Sequence, residues 1–131
     1  TRYIGEWSSD VCSSDLTDQP VVTAPTYLSL QTPGHDNTGE LFRAIARFEP
    51  DTAKLTIAEA GKERYPSEPI YVPKGDQAKP AGWVLSVVYD GAAHQSEVWI
   101  YDSDRLAAEP VCRLALPSVI PHSFHGTWRP D

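Results

Sequence analysis

Twelve prolines, against eight glycines, are spread along this chain of 131 residues. Proline lacks a backbone N–H, and its ring clashes with the preceding helical turn, so helix interiors tolerate it poorly. Prolines at this density are typical of short strands joined by turns, where they occupy turns, strand starts and edges. The sequence therefore predicts an all-β fold, in a chain long enough for one ordinary domain.

The composition and charge exclude several classes of protein. Apolar residues make up 40% of the chain and charged residues 22%, which is typical of a globular protein. The formal net charge is −7 and there is no basic run, so binding of nucleic acid through phosphate contacts is not expected. Its two cysteines, Cys12 and Cys112, form neither a zinc pattern nor a disulfide framework.

The first part of the chain, residues 1–16, differs from the rest. A Ser-Ser-Asp triplet occurs at 8–10 and again at 13–15, and the segment has no helical or alternating apolar periodicity. It resembles translated adapter or vector sequence, and a flexible natural N-terminus is the alternative. We therefore expect 1–16 to be a non-native, disordered head, and 17–131 to be the folded part.

From residue 27 onward, short apolar segments bounded by turn residues predict antiparallel strands. The predicted strands are 27–30, 41–48, 55–57, 69–72, 83–89, 97–101 and 111–116. A helix competes at 41–48, because Ala and Arg both favour helices, but the turn at 49–52 favours a strand. The nearly continuous apolar run 83–89 predicts a central strand buried on both faces.

The last four predicted strands form a meander of the size of one β-propeller blade. The strands near 41–48 and 54–58 would form the outer hairpin of the preceding blade. A small β-sandwich would give a similar pattern, so the sequence pattern alone leaves these two architectures open.

The four histidines are the first candidates for metal ligation. His35 and His94 lie in polar, turn-rich segments, which predicts exposed loop residues. His122 and His125 are three positions apart, a spacing that shares one face only in a helix, and the flanking proline and glycine argue against a helix. His125 is followed by a glycine that permits close approach, so it is either a metal ligand or a packed core histidine. We assign no role to His122.

Glu68 is the second candidate, because it stands between a serine and a proline at the start of an apolar strand. In water it would be an ordinary carboxylate at a strand edge. If it is buried, it needs a charged or hydrogen-bonding partner.

Several segments together resemble the C-terminal end of the carotenoid cleavage oxygenases, a family that includes stilbene-cleaving enzymes and the retinoid isomerase of the visual cycle. The matching segments are SEPIYVP at 67–73, GWVLSVVYD at 82–90, SEVWI at 96–100, LP at 116–117 and FHGTW at 124–128. Each motif is weak by itself, but their order and spacing match over about residues 27–130.

The resemblance implies that this chain forms the C-terminal part, about one and a half blades, of a seven-bladed β-propeller whose strands form an antiparallel meander. In this family a non-haem Fe(II) on the propeller axis is held by four histidines from different blades. The histidine of the closing F-H-G motif, here His125, is the last of these ligands, and the glutamate of the S-E-P motif, here Glu68, orients it. We therefore expect Glu68 and His125 to lie within hydrogen-bond distance, because such a carboxylate fixes the imidazole tautomer.

The implied function is that of a dioxygenase that cleaves a C=C bond of a carotenoid, apocarotenoid or stilbene-like substrate with O2. Family members are several hundred residues long, so we expect this chain to be a C-terminal fragment without the other three ligands, inactive alone. A non-catalytic propeller or small β-domain that acts as a binding module is the alternative. We expect a cytoplasmic location, with peripheral membrane contact through parts outside this chain as a further option.

Overall fold

The computed structural model describes residues 24–31, 41–75, 81–122 and 125–129, and the regular elements of these ranges are β-strands and one short 3-10 turn. The strands are β1 (Thr26–Leu30), β2 (Ala44–Glu49), β3 (Lys54–Glu59), β4 (Arg64–Pro66), β5 (Ile70–Pro73), β6 (Gly82–Asp90), β7 (Gln95–Asp102) and β8 (Cys112–Ala115). The predicted all-β class is confirmed. Among the described residues there is no helix long and apolar enough to cross a membrane. The predicted head and His35 lie outside these ranges.

The small sheet contains β1, β2 and β3 in antiparallel order. Its middle strand is β2, in which Ala46 pairs with Leu28 on one side and Ile57 on the other. The prediction of a strand rather than a helix at 41–48 is therefore confirmed, although the strand begins at Ala44.

The second sheet has five strands and contains the predicted meander. Its central strand is β6, which pairs along its length with β7, and β7 pairs in turn with β8. Two short strands, β4 and β5, pair with the other side of β6. The sequence predicted these strands except β4, which has only three residues and ends in a proline.

A β-bulge separates β4 from β5. Pro66 ends β4 opposite Val88, and Ile70 begins β5 opposite Leu85. Three residues, 67–69, therefore face two residues of β6. The extra residue interrupts the ladder and redirects the side chains of this strand. The Ser-Glu-Pro motif forms this bulge.

The inner face of the five-stranded sheet packs against the small sheet in one shared core. Its buried members are Ile45, Ala58, Ala60, Val84, Val88, Trp99, Tyr101 and Leu106. Successive residues of a strand point to opposite faces, so only every second residue of β6 belongs to this core.

The outer face of the same sheet, which points away from the small sheet, is less covered. Trp83, Leu85 and Val87 of β6 lie on this face and are half-buried. The prediction that the run 83–89 is buried on both faces is therefore wrong. An apolar run indicates that both faces favour burial, but within the described ranges a second sheet packs against the inner face alone.

The C-terminal segment, residues 116–122 and 125–129, runs over the outer face from β8 toward the bulge. The Leu116 N–H donates to the Ser96 carbonyl at 2.9 Å, and the Ile120 N–H donates to the Ser96 hydroxyl at 2.9 Å. Farther along, Trp128 lines an apolar cleft of about 350 Å³ together with Trp83 and Ile100. This path brings His125 to the β4–β5 edge of the sheet.

Candidate functional site

The backbone that carries Glu68 is held in place, because both backbone polar groups of the preceding residue, Ser67, have partners. The Ser67 N–H donates to the Val87 carbonyl at 2.8 Å, and the Ser67 carbonyl accepts a hydrogen bond of 2.9 Å from the Ser86 hydroxyl. Ser67 is 5% exposed and Ser86 is 2% exposed. Buried backbone groups that leave the ladder need such partners, so these bonds stabilise the bulge.

The carboxylate of Glu68 meets the C-terminal segment at the sheet edge. Its Oε2 accepts a hydrogen bond of 2.9 Å from the Gly126 N–H, across 58 positions of the chain. The same oxygen lies 3.7 Å from Nδ1 of His125. Glu68 and His125 are thus close together, as we predicted, but 3.7 Å exceeds the expected hydrogen-bond range of ~2.7–3.2 Å. The hydrogen bond to this oxygen comes instead from the main chain of the next residue.

Both side chains of this pair are accessible. The side chain of Glu68 is 40% exposed and that of His125 is 73% exposed. Glu68 also borders a cleft of about 380 Å³ that is lined by Ile70, Tyr71 and Trp128. Solvent screens the attraction between exposed charges, so the geometry of the pair depends on the backbone that carries it.

His122, on the same C-terminal segment, has a different environment. It is half-buried, and its Nε2 is buried without a hydrogen-bond partner in the described part of the chain. Burial lowers the pKa of His122 below its ordinary value of 6.5, because the imidazolium form is disfavoured away from water. Burial thus favours the neutral form of this ring.

The remaining histidine of the described residues, His94, lies exposed in the turn between β6 and β7. Its Nδ1 is 2.7 Å from the Tyr89 hydroxyl. The prediction of an exposed turn histidine is confirmed for this residue.

Sequence reasoning missed two groups at the site, the Gly126 amide and the Ser86 hydroxyl. The glycine after the histidine was a usable signal, because it predicted a close approach of neighbouring groups. A Cβ at Gly126 would lie 2.6 Å from Cδ1 of Ile70. Ser86 gave no signal, because a lone serine in an apolar strand does not show which carbonyl its hydroxyl reaches.

The donor set at this edge fits one corner of a metal site. A carboxylate near Nδ1 of His125 leaves Nε2 as the ring nitrogen for a metal, which is the usual arrangement of a metal-bound histidine. Within the described ranges, no group of three or more His, Cys, Asp or Glu side chains is placed to hold a metal ion. His125 therefore fits as one ligand of a larger site.

Comparison with protein families identifies one whose model matches most of the chain. The model described as retinal pigment epithelial membrane protein matches residues 22–130. The apocarotenoid-15,15'-oxygenase of Synechocystis sp. is 31% identical over 96 residues, which cover 72% of this chain and 20% of the relative. A carotenoid 9,10(9',10')-cleavage dioxygenase 1 of Arabidopsis thaliana is 36% identical over 70 residues, 53% of this chain and 13% of the relative.

Two solved structures have the same fold as this chain. The lignostilbene dioxygenase of Pseudomonas brassicacearum superposes with a TM-score of 0.75 at 23% identity, over 82% of this chain and 24% of that protein. Cobalt-substituted Synechocystis ACO superposes with a TM-score of 0.67 at 27% identity, over 70% of this chain and 19% of that protein. The matched part of this chain thus spans roughly a fifth of the length of these relatives.

Proposed function

The chain belongs to the retinal pigment epithelial membrane protein family, the family of the carotenoid cleavage oxygenases, and from this premise we propose that it forms part of an Fe(II) dioxygenase. The substrate would be a carotenoid, an apocarotenoid or a stilbene-like compound. The observation that carries the proposal is the meeting of Glu68 with His125 and Gly126 at one sheet edge, within the matched residues. A cytoplasmic location belongs to the same proposal.

His125 would bind the iron through Nε2, as one of several ligands. Glu68 would accept a hydrogen bond from the Nδ1–H of His125 when the ring turns to close the 3.7 Å gap, and this would fix the ligating tautomer. The bulge and its hydroxyl partner would hold the carboxylate in place while the ring is bound.

When it is bound, Fe(II) would bind and activate O2, which protein side chains cannot do by themselves. The overall reaction adds both atoms of O2 across one C=C bond, which breaks and gives two carbonyl products. Apolar side chains, which include Ile70 and Tyr71, line part of the cleft beside Glu68 and would border this chemistry.

A chimera tests the proposal. Residues 22–130 of this chain would replace the matching part of the Synechocystis apocarotenoid-15,15'-oxygenase, which supplies the remainder of the propeller. We expect the chimera to retain iron and to cleave an apocarotenoid with uptake of O2. Glu68→Gln should lower iron affinity or activity by roughly 10–100-fold, and His125→Ala should lower them further, because it removes a metal bond.

The control is His94→Asn, which changes an exposed histidine in the turn after β6. This variant should retain the iron content and activity of the chimera. A chimera that folds and keeps its full iron content after His125→Ala would exclude His125 as a ligand and favour a binding module instead.

A further inference from the structure

We propose that Glu68 positions His125 through the main chain, by holding the Gly126 amide, and that Ser86 is a positioning residue that fixes the bulge carrying Glu68. The proposal rests on the proposed function for the metal-binding role of His125. It adds two contacts to the carboxylate–imidazole pair, one with a backbone amide and one with a buried hydroxyl.

The first step concerns the Gly126 amide, which is the donor that Glu68 holds most closely. Its N–H lies 2.9 Å from Oε2, whereas Nδ1 of His125 lies 3.7 Å from the same oxygen. The amide directly follows His125, so fixing it restrains the backbone from which the imidazole projects. A distance of 2.9 Å is within hydrogen-bond range and 3.7 Å is beyond it, so the contact with the amide is the stronger restraint.

The second step concerns the Ser67 carbonyl, which the bulge removes from the regular ladder. The Ser86 hydroxyl donates to this carbonyl at 2.9 Å in a buried position. The Ser29 hydroxyl of β1 also reaches it, at 3.4 Å. Two sheets thus supply hydroxyl donors to the peptide that immediately precedes Glu68, and the shorter bond from Ser86 makes the larger contribution.

The third step joins these contacts into one chain of restraints. Ser86 fixes the Ser67 peptide, this peptide fixes the backbone of Glu68, and Glu68 fixes the Gly126 amide. Loss of the Ser86 hydroxyl would leave this buried carbonyl with the longer contact of 3.4 Å from the Ser29 hydroxyl, which favours a shift of the bulge. Such a shift would move the carboxylate and release the amide, although Ser86 touches neither His125 nor Gly126 in any contact described above.

Hydrogen exchange of the Gly126 amide, measured by NMR on the full 131-residue chain without metal, tests the proposal. Glu68→Ala should raise its exchange rate about tenfold or more, because a charge-assisted hydrogen bond is lost. Glu68→Gln keeps a carbonyl acceptor and should give a smaller increase. Ser86→Ala should raise the rate several-fold, and Ser86→Thr, which keeps a hydroxyl, should restore protection.

The matched control is Ser103→Ala. Ser103 is 1% exposed, and its hydroxyl accepts a hydrogen bond of 2.9 Å from the N–H of Gly82, the first residue of β6. Amides of β6 and β7 report the stability of the sheet in every variant. In Ser103→Ala the exchange of Gly126 should change only as much as these sheet amides do.

Three outcomes overturn the proposal. One is a Gly126 amide that exchanges in the unchanged chain as fast as in an unfolded peptide. The second is a Glu68→Ala variant in which the Gly126 amide exchanges at the same rate as in the unchanged chain. The third is a Ser86→Ala variant in which the exchange rate of Gly126 rises no more than the rates of the amides in β6 and β7. None of these measurements uses a metal, so they test the proposal independently of the proposed function. The proposed function fails in a different experiment, if the chimera retains its iron after His125→Ala.

Discussion

Two histidines of the C-terminal segment, only three positions apart, have opposite environments. His125 is largely exposed beside Glu68, whereas His122 is half-buried with its Nε2 away from solvent. The proline and glycine that flank the pair prevent a helix, so the two rings do not share a face. His125 is therefore accessible to a ligand, whereas the environment of His122 disfavours the charged form of its ring.

The lowered pKa of His122 predicts a dependence of stability on pH. Between its lowered pKa and 6.5, the unfolded chain binds a proton that the folded chain excludes. This contribution to stability is therefore complete above pH 6.5 and decreases as the pH falls below that value. His122→Asn should reduce the fall in Tm between about pH 7.5 and about pH 5.5, compared with the unchanged chain.

The comparison for this prediction is His94→Asn, because asparagine tolerates the φ of 50° at position 94. It removes an exposed histidine, so the pH dependence of Tm should change less than it does in His122→Asn. Equal slopes in the unchanged chain and in His122→Asn would show that burial of His122 does not control the effect.

How much of the site the sequence could predict differs between its residues. The pairing of Glu68 with His125 followed from motifs that resemble a family, since spacing alone left a metal ligand and a packed histidine both open. The bond to the Gly126 amide could not be predicted, because sequence does not show which of several nearby donors a carboxylate takes. The bulge was hidden for a related reason, since its extra residue is visible only once both registers are known.

At the scale of single elements, the sequence predicted the bounds of β6 well, but it predicted the burial of its two faces less well. Its apolar run gave the central strand with bounds close to those observed, but burial on the outer face depends on a neighbour that no local pattern reveals. The short strand β4 was missed because three residues that end in a proline carry too little periodicity. Strands of six or more residues between turn signals were predicted with errors of a few residues.

Close contact between β5 and β6 depends on Gly82. A Cβ at this position would lie 2.5 Å from the Val72 carbonyl oxygen and 2.5 Å from the ring of Tyr71. Gly82→Ala should therefore lower the free energy of unfolding by about 1–3 kcal/mol, since backbone must move to make room. Urea denaturation measures this change.

A matched substitution is available in the turn that follows β6. At Gly91 the nearest atom to a Cβ, the Glu63 carbonyl oxygen, would lie 3.3 Å away. Gly91→Ala should cost less than Gly82→Ala, because a shift of a few tenths of an ångström relieves the contact. If both variants lose the same stability, the approach of β5 to β6 is not the controlling factor.

At the scale of the whole molecule, the described residues form two sheets of a β-propeller that share one core. This confirms the fold class that the sequence and the family resemblance predicted together. The outer face lacks a second sheet within the described ranges and is overlaid in part by the C-terminal segment. Adjacent blades of repeat folds stabilise one another through such faces.

Two isoleucines on opposite sides of the five-stranded sheet test this difference between its covered inner face and its less covered outer face. Ile45 is 1% exposed in the shared core, and Ile45→Ala should cost about 2–5 kcal/mol in the free energy of unfolding of the chain. Ile100 lies on the outer face and is half-buried, so Ile100→Ala should cost less. In the chimera described above, a neighbouring blade should cover Ile100, so Ile100→Ala should lower the free energy of unfolding by more than it does in the chain alone. An equal cost of Ile100→Ala in the chain and in the chimera would contradict the packing of another blade on this face.

The bulge between β4 and β5 also determines what an in-frame deletion of one codon would do to this chain. Loss of one codon within 67–69 would leave two residues opposite two, which is the regular antiparallel ladder. Strand pairing would therefore survive such a mutation, and the gene product would still assemble its sheet. The residue that projects Glu68 toward the C-terminal segment would be gone or displaced. The extra codon is thus not needed for strand pairing, and its structural effect is to carry Glu68 toward the Gly126 amide.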